Sequence, residues 1–387
     1  MEEVMFNLKK TPGNLIKVIG VGGAGSNAVI YMSREGIKDV SYAICNTDLQ
    51  ALESSGIGEF VQLGRNLTRG LGAGNKAERG EAAAEECVAQ INDLIEESTR
   101  MVFITAGMGG GTGTGASPVV ARICKEKKLP IEEHEMLVVG IVTLPFRDEG
   151  PYRVNQAREG IEKLSKYVDS LVIIDSEYIL REYGDLLVTK AFAEGDKLLY
   201  NAAKGIAEIV TTHGPNNINF SNVKNVLIDG GLANMGVAVV SGEDRARRAT
   251  LEAISSPLLI HSDIRGAARI LVNIASSRVG REVTMREKKI IKETLQEKAG
   301  GNASIVDGTT IDDSLGDALR VTIIVTKFSH EIKDVFDIEA TEKTKTTDPA
   351  QVSFAVSSSD EEGNQATRVL TEEEEMETPA YNRSRMK

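Results

Sequence analysis

From residue 15 to about residue 200 the chain alternates short apolar runs with stretches whose apolar positions recur every three to four residues. The runs are Ile16 to Val21, Tyr42 to Asn46, Met101 to Thr105, Leu137 to Thr143 and Ser170 to Asp175. This alternation predicts βαβ units and a mainly parallel sheet, with ligand-binding loops at the carboxyl ends of the strands. A helical pattern of about six turns then runs from Lys190 to Val210 (KAFAEGDKLLYNAAKGIAEIV) and is expected to join this domain to a second one. There the strand candidates are Asn225 to Ile228, Met235 to Val240, Ala268 to Ile274 and Ala318 to Val325, with a helix at Glu243 to Ser255. After Glu339 the chain is rich in Thr, Ser, Glu and Asp with few large apolar residues, so no core forms and disorder is expected. The last ten residues, TPAYNRSRMK, turn basic and read as a docking peptide tethered by an acidic spacer, or as an arbitrary terminus.

The predicted fold class is therefore α/β: a Rossmann-like parallel-sheet domain, a long central helix, a smaller α+β C-terminal domain and a disordered tail. The boundaries follow as a flexible N-terminus over 1–12, a ligand-binding domain over 13–189, the central helix over 190–212, the C-terminal domain over 213–330, the linker over 340–377 and the docking peptide over 378–387.

With 387 residues, 41% hydrophobic and 26% charged, the chain is long enough for two full cores. No apolar stretch approaches the roughly twenty residues of a membrane span, and the start MEEVMFNLKK is acidic and polar, so a cytoplasmic protein without membrane insertion is expected. The net charge of -12 argues against nonspecific nucleic-acid binding, which rests on neutralising lysines and arginines. Cys45, Cys87 and Cys124 stand singly, and His134, His213, His261 and His330 are scattered, so neither disulfides nor a metal site is expected.

Two glycine-rich segments break this pattern. GVGGAGSNAV follows the strand Ile16 to Ile19 and opens a helix, and AGMGGGTGTGAS at 106 to 117 lies between the run Met101 to Ile104 and a helical stretch with Pro118 near its start. Strand, glycine loop and helix form an anion site, because bare backbone N–H groups converge where the helix terminus adds partial positive charge. The first segment alone satisfies G-x-G-x-x-G, and Asp48 ends the next strand where a dinucleotide-binding protein holds ribose, so an NAD-dependent oxidoreductase is a rival reading. A second cradle on a neighbouring strand suits a longer phosphate chain, as in a nucleoside triphosphate, and no G-x-x-x-x-G-K-S/T motif is present.

GVGGAGSNAV, NTDLQAL at 46 to 52, LTRGLGAG at 67 to 74, AGMGGGTGTGASPVVA at 106 to 121 and PFRDEGPYR at 145 to 153 together resemble the tubulin/FtsZ GTPase family, on the FtsZ side. The likeness extends over residues 12 to 328, and the terminal PAYNRSR is more loosely similar to the family's C-terminal peptide, which binds membrane-tethering division proteins. The resemblance implies a GTPase domain, head-to-tail filaments with GTP between subunits, Mg2+ held through the phosphates, and a place at the division site on the inner face of the membrane. It assigns Gly22, Gly23, Ala24, Asn27, Gly109, Gly110, Gly111, Thr112 and Gly113 to the phosphates. Glu149 would hold the ribose, Arg153 would approach the phosphates, Phe192 would lie against the base and Asp196 would bond the guanine edge. Without the family, Glu149 and Arg153 read equally as a surface i,i+4 pair and Phe192 equally as a core residue.

Two departures from the family matter. Where it has Pro-Asn after the strand that matches Leu171 to Ile174, this chain has Asp175-Ser176, and a hydroxyl cannot reproduce the donor and acceptor pair of an amide. Guanine selectivity is expected to weaken unless Asp175 or Glu177 takes over. The family's catalytic loop, Asn-x-Asp-Phe-Ala-Asp-Val, reads Asn217-Ile218-Asn219-Phe220-Ser221-Asn222-Val223 here. Its two acids orient or deprotonate the attacking water on the next subunit's GTP, whereas a neutral amide only orients it. Slow hydrolysis is therefore expected, with a non-hydrolysing scaffold that co-assembles with an active homologue as the alternative, and rescue through Asn217 and Asp229 as the rival.

Overall fold

The computed structural model describes residues 14–128, 135–211, 218–256 and 264–327, together with Phe336 and the stretches 356–358 and 366–368. β1 (Ile16–Val21) runs directly into α1 (Gly22–Glu35), and β2 (Val40–Asn46) is followed by α2 (Leu49–Glu53), β3 (Phe60–Gln62), α3 (Arg65–Thr68), α4 (Ala77–Glu85) and α5 (Val88–Asp93). β4 (Met101–Gly107) leads into α6 (Gly111–Glu126), and β5 (Leu137–Thr143) leads into α7 (Pro151–Leu164). After β6 (Ser170–Ile174) come α8 (Ser176–Tyr183) and the 24-residue α9 (Val188–Thr211), about 36 Å long at 1.5 Å per residue. The second half holds α10 (Phe220–Leu227), β7 (Gly231–Val240), α11 (Arg245–Ile254), β8 (Arg269–Ser276), α12 (Met285–Ala299), β9 (Ser304–Ile311) and β10 (Leu319–Thr326).

These strands form one ten-stranded sheet in the order β3-β2-β1-β4-β5-β6-β7-β10-β8-β9. From β3 to β7 every neighbour is parallel, β10 is antiparallel to both β7 and β8, and β8 and β9 are parallel. The central strands are unbroken Val/Ile/Leu-rich runs because both faces are covered; β1 and β6 are buried at every residue. Strand order reverses between β1 and β4, the switch point where an open α/β sheet leaves a crevice. The register pairs Val21 with Ala106, Gly107 with Thr143, and Thr143 with Ile174, so the carboxyl ends of β1, β4, β5 and β6 line up along that crevice. One apolar cluster joins the strand residues Val139, Ile141, Val172 and Ile174 to Leu199, Ala202 and Ile206 of α9, and a second joins α11 and α12 to β8 and β10.

The structure revises several expectations. Asn225 to Ile228 is not a strand: its first three residues close α10, whose buried Val223, Val226 and Leu227 recur at helical spacing. Pro118 lies not near a helix start but eighth in α6, which begins at Gly111 and loses one backbone hydrogen bond there. Most of the expected glycine loop is thus the first turns of a helix. Gly115 serves packing, since a Cβ there would stand 1.9 Å from the Ala77 carbonyl oxygen at the start of α4. β3, α3, α4, α5, α12 and β9 were not predicted. Within the tail, Val356–Ser358 pairs antiparallel with Ala366–Arg368, a short ladder where no element was predicted. The rest of 340–377, the peptide 378–387, the first 13 residues, the four histidines and Asn217 lie outside the described residues. The three cysteines are buried and unbridged. No helix among the described residues is long and apolar enough to cross a membrane.

Candidate functional site

α1 and α6 begin at the carboxyl ends of neighbouring parallel strands, so their first turns, where backbone N–H groups lack helical partners, face one cleft. The cleft encloses about 360 Å³ and takes Gly23 and Ala24 from α1, Gly110 to Gly113 from the start of α6, Glu149 and Arg153 near the start of α7, Ser176 of α8, and Phe192 and Asp196 of α9. All of these were predicted from the sequence. Gly22 and Gly109 are buried and Asn27 is exposed on α1; none of the three lines the cleft. Residues that sequence reasoning missed complete it: Gly107, Met108, Thr143 to Phe146, Ile179, Gly195 and Leu199. Most of these contribute shape or backbone rather than a chemistry-bearing side chain, and only their place at strand ends or on α8 and α9 signals them.

A Cβ added at Gly23 or Gly110 would meet no protein atom within 4 Å. Gly110 has φ -89 and ψ 178, ordinary extended backbone, so neither space nor strain in the protein calls for glycine there. The room beside these two residues fits a group that approaches the backbone closely, such as a phosphate. Gly109 differs: its φ of +93 is left-handed, and its N–H donates to Thr114 Oγ1 at 2.9 Å, which fixes the turn into α6. The hydroxyls of Thr47 and Thr112 share a hydrogen bond of 2.6 Å across the same floor.

At the rim, Glu149 accepts from the Phe146 N–H at 2.9 Å and pairs with Arg153 four residues on, so the surface i,i+4 pair is present and lines the cleft. Phe192 is no core residue: it is 57% exposed and meets Phe146 edge-on with ring centroids 6.3 Å apart. The Ser176 hydroxyl donates to the Leu144 carbonyl at 2.5 Å, Asp175 caps α8 by accepting from the Glu177 N–H, and Glu177 accepts from the Arg147 N–H. Each of the two carboxylates offered to compensate for the missing amide, Asp175 and Glu177, thus already holds one backbone N–H of the loops around α8. Asp196 contrasts with them. It lines the cleft without a hydrogen bond or ion pair among the described residues, and burial pushes its carboxyl up to about 6.

Asp48, the candidate ribose holder of a dinucleotide site, instead caps α2 by accepting from the Ala51 N–H at 3.1 Å and does not line the cleft. Asn219 and Asn222 also lie away from it. They form a reciprocal capping box at the start of α10, Asn219 Oδ1 accepting from the Asn222 N–H at 2.9 Å and Asn222 Oδ1 from the Asn219 N–H at 3.2 Å. α10 sits at the amino ends of the strands: Lys224 donates to the carbonyl of Glu135, just before β5, and Ser170, first in β6, donates to that of Leu227. α10 and the cleft thus lie at opposite ends of the strands.

The profile of the Tubulin/FtsZ family, GTPase domain, matches residues 15–184, and that of the FtsZ family, C-terminal domain, matches 231–329. A cell division protein FtsZ of Buchnera aphidicola subsp. Acyrthosiphon pisum (strain APS) is 43% identical over 329 residues, covering 84% of this chain and 83% of that protein. The chain belongs to the FtsZ family. A cell division protein FtsZ of Porphyromonas gingivalis (strain ATCC BAA-308 / W83) is 42% identical over 332 residues, covering 85% of this chain and 71% of its own length. Among solved structures, an empty FtsZ dimer from M. jannaschii shares 38% identity at a TM-score of 0.73, over 83% of this chain and 90% of that one. A GTPgS-bound protofilament of CetZ2 from Haloferax volcanii matches at 0.68 with 20% identity, a likeness of fold alone. FtsZ-family proteins are tubulin-like GTPases of cell division, cytoskeletal and filament-forming, and this chain carries both of the family's domains.

Proposed function

We propose that this FtsZ-family protein binds GTP in the cleft between α1 and α6, assembles head to tail, and hydrolyses GTP slowly. The first turns of α1 and α6 hold the phosphates, Glu149 and Arg153 take the ribose and phosphate edge, Phe192 lies against the base, and Asp196 accepts from the guanine donors. Mg2+, carried on the phosphates, supplies charge neutralisation there. The observation that carries the reading of assembly is the separation of the cleft from Asn219 and Asn222 by the length of the sheet. Within one subunit these residues do not approach the nucleotide; a head-to-tail neighbour would bring its own α10 start over the cleft. Such a heterologous contact does not close on itself and propagates as a filament. Leu180, Leu186, Leu187 and Val188, all exposed beside the cleft, offer apolar surface for that contact.

Slow turnover rests on Asn219 and Asn222 standing where the family has acids. A carboxylate next to the attacking water takes up its proton, and loss of a positioned general base costs about a hundred to ten thousand fold in rate. The tail peptide 378–387 would bind a membrane-tethering division protein and bring the filament to the division site. An essentially non-hydrolysing scaffold that co-assembles with an active homologue differs from this reading by turnover alone. The oxidoreductase reading lacks a ribose holder, because Asp48 caps α2 and does not line the cleft.

The test is phosphate release from GTP with Mg2+ across the onset of light scattering, for the wild type and for Asn219→Asp/Asn222→Asp. Both side chains act only as acceptors in the capping box, so aspartates keep both bonds and place negative charge at a helix N-terminus, where it stabilises. Filaments with little release, and a gain of about a hundredfold or more in the double variant, are expected. Equal rates would sink the proposed slowing.

A further inference from the structure

Gln156 of α7 is 7% exposed and uses its whole amide. Its Nε2 donates to the carbonyl oxygens of Gly109 at 2.8 Å and Gly110 at 3.0 Å, while its Oε1 accepts from the Ala77 N–H at the start of α4 and from the Tyr152 hydroxyl, both at 3.3 Å. Two donors and two lone pairs are all engaged. The opposite amide orientation would set the oxygen against two carbonyls and the NH2 against an N–H.

In a planar trans peptide the C=O of one residue and the N–H of the next point in opposite directions. By drawing the Gly109 and Gly110 carbonyls toward α7, Gln156 turns the N–H groups of Gly110 and Gly111 the other way, and both residues line the cleft. Lys76, one residue before the N–H that the Gln156 oxygen holds, is the segment against which Gly111 packs; a Cβ on Gly111 would stand 2.9 Å from Lys76 N. One side chain thus orients two consecutive N–H groups and secures the wall behind them. We propose that Gln156 is the positioning residue of the phosphate cradle, setting how strongly the protein holds the phosphate chain of a guanine nucleotide without touching it. This deepens the GTP reading and rests on it.

The experiment measures affinity for GDP and guanosine, with apo melting temperature, for the wild type, Gln156→Met, Gln156→Glu and Tyr152→Phe. Gln156→Met keeps length and removes both donors. Gln156→Glu keeps the acceptor side, which holds α4, and turns a carboxylate onto the two carbonyls, so it stands in if the Met variant does not fold. For either variant, GDP affinity is expected to fall about tenfold to a hundredfold while guanosine affinity stays within about twofold. Tyr152→Phe, which leaves both donors in place, is expected to keep GDP affinity within about twofold. A parallel loss for GDP and guanosine, or no loss for either, would overturn the positioning role. A wild type that holds GDP no more tightly than guanosine would overturn the phosphate reading itself.

Discussion

Two carboxylates in this molecule, one in the cleft and one in the second half, leave water under opposite terms. Asp196 loses solvent and gains no partner among the described residues, and its carboxyl is pushed up to about 6 by burial. Glu287, in the first turn of α12, is buried as well, and burial alone would raise it too. Hydrogen bonds from Arg245 at 2.7 and 3.2 Å and from the Thr284 N–H at 2.8 Å outweigh that and hold it near 2. Arg245, 1% exposed, spends its remaining N–H groups on the carbonyls of Arg281, Glu282 and Asp317, so all five donors are used. A buried charge with every bond made has nothing left for a ligand and acts as a clamp. The unpartnered one keeps its acceptor capacity for donors that come from outside.

The largest effect expected to separate the two comes from Arg245→Met, which removes the buried partner of Glu287, leaves it only the more exposed Arg281 at 3.4 Å, and should cost about 3–5 kcal/mol of stability. Urea unfolding measures it, with GDP affinity unchanged under folding conditions; a loss below about 1 kcal/mol would remove the clamp from the picture. The acid limb sharpens the same point. Because Glu287 is depressed in the folded state, its contribution is complete above the usual value of 4.5 and is lost as pH falls toward 2, a window that Arg245→Met should flatten.

Next in size, Asp196→Asn swaps an ionised acceptor for a neutral amide and should weaken GDP binding by about 1.5–3 kcal/mol, read by titration calorimetry, without lowering apo stability. If apo stability falls instead, Asp196 is a structural group like Glu287 and the contrast fails. A smaller effect follows from its raised pKa. The guanine donors need the ionised form, so GDP affinity should decline as pH drops below about 6, by at most about tenfold per unit, and the decline should vanish in Asp196→Asn. The smallest effect is expected at the rim: Glu149→Gln breaks the i,i+4 pair with Arg153 and should change thermal stability by no more than about 1 kcal/mol, since such pairs are solvent-screened.

Much of the cleft was legible in the chain because backbone builds it. Glycine-rich segments after buried strands declare themselves by composition, and Gly23, Ala24 and Gly110 to Gly113 all reached the cleft. Asn27 did not, since it lies further along α1 where the helix has turned away. The strand assigned to Asn225–Ile228 failed because three adjacent apolar residues look alike in a strand and at a helix end, and only the cap at Asn219 marks the helix. Gln156 carried no signal at all: a glutamine inside an amphipathic helix reads as solvent-facing until α4, α6 and α7 meet around it.

The order of apolar runs, two glycine-rich helix starts and the neutral side chains at Asn219 and Asn222 were settled by local sequence, because strand burial, backbone freedom and side-chain chemistry are properties of a residue and its near neighbours. Which carboxylate is clamped and which has no partner among the described residues, at which end of the strands α10 lies, and which side chain holds the Gly109 and Gly110 carbonyls were decided only by folding. Those depend on groups distant in the chain sharing a volume from which water has been removed, where every donor and acceptor must find its partner among residues that happen to arrive there.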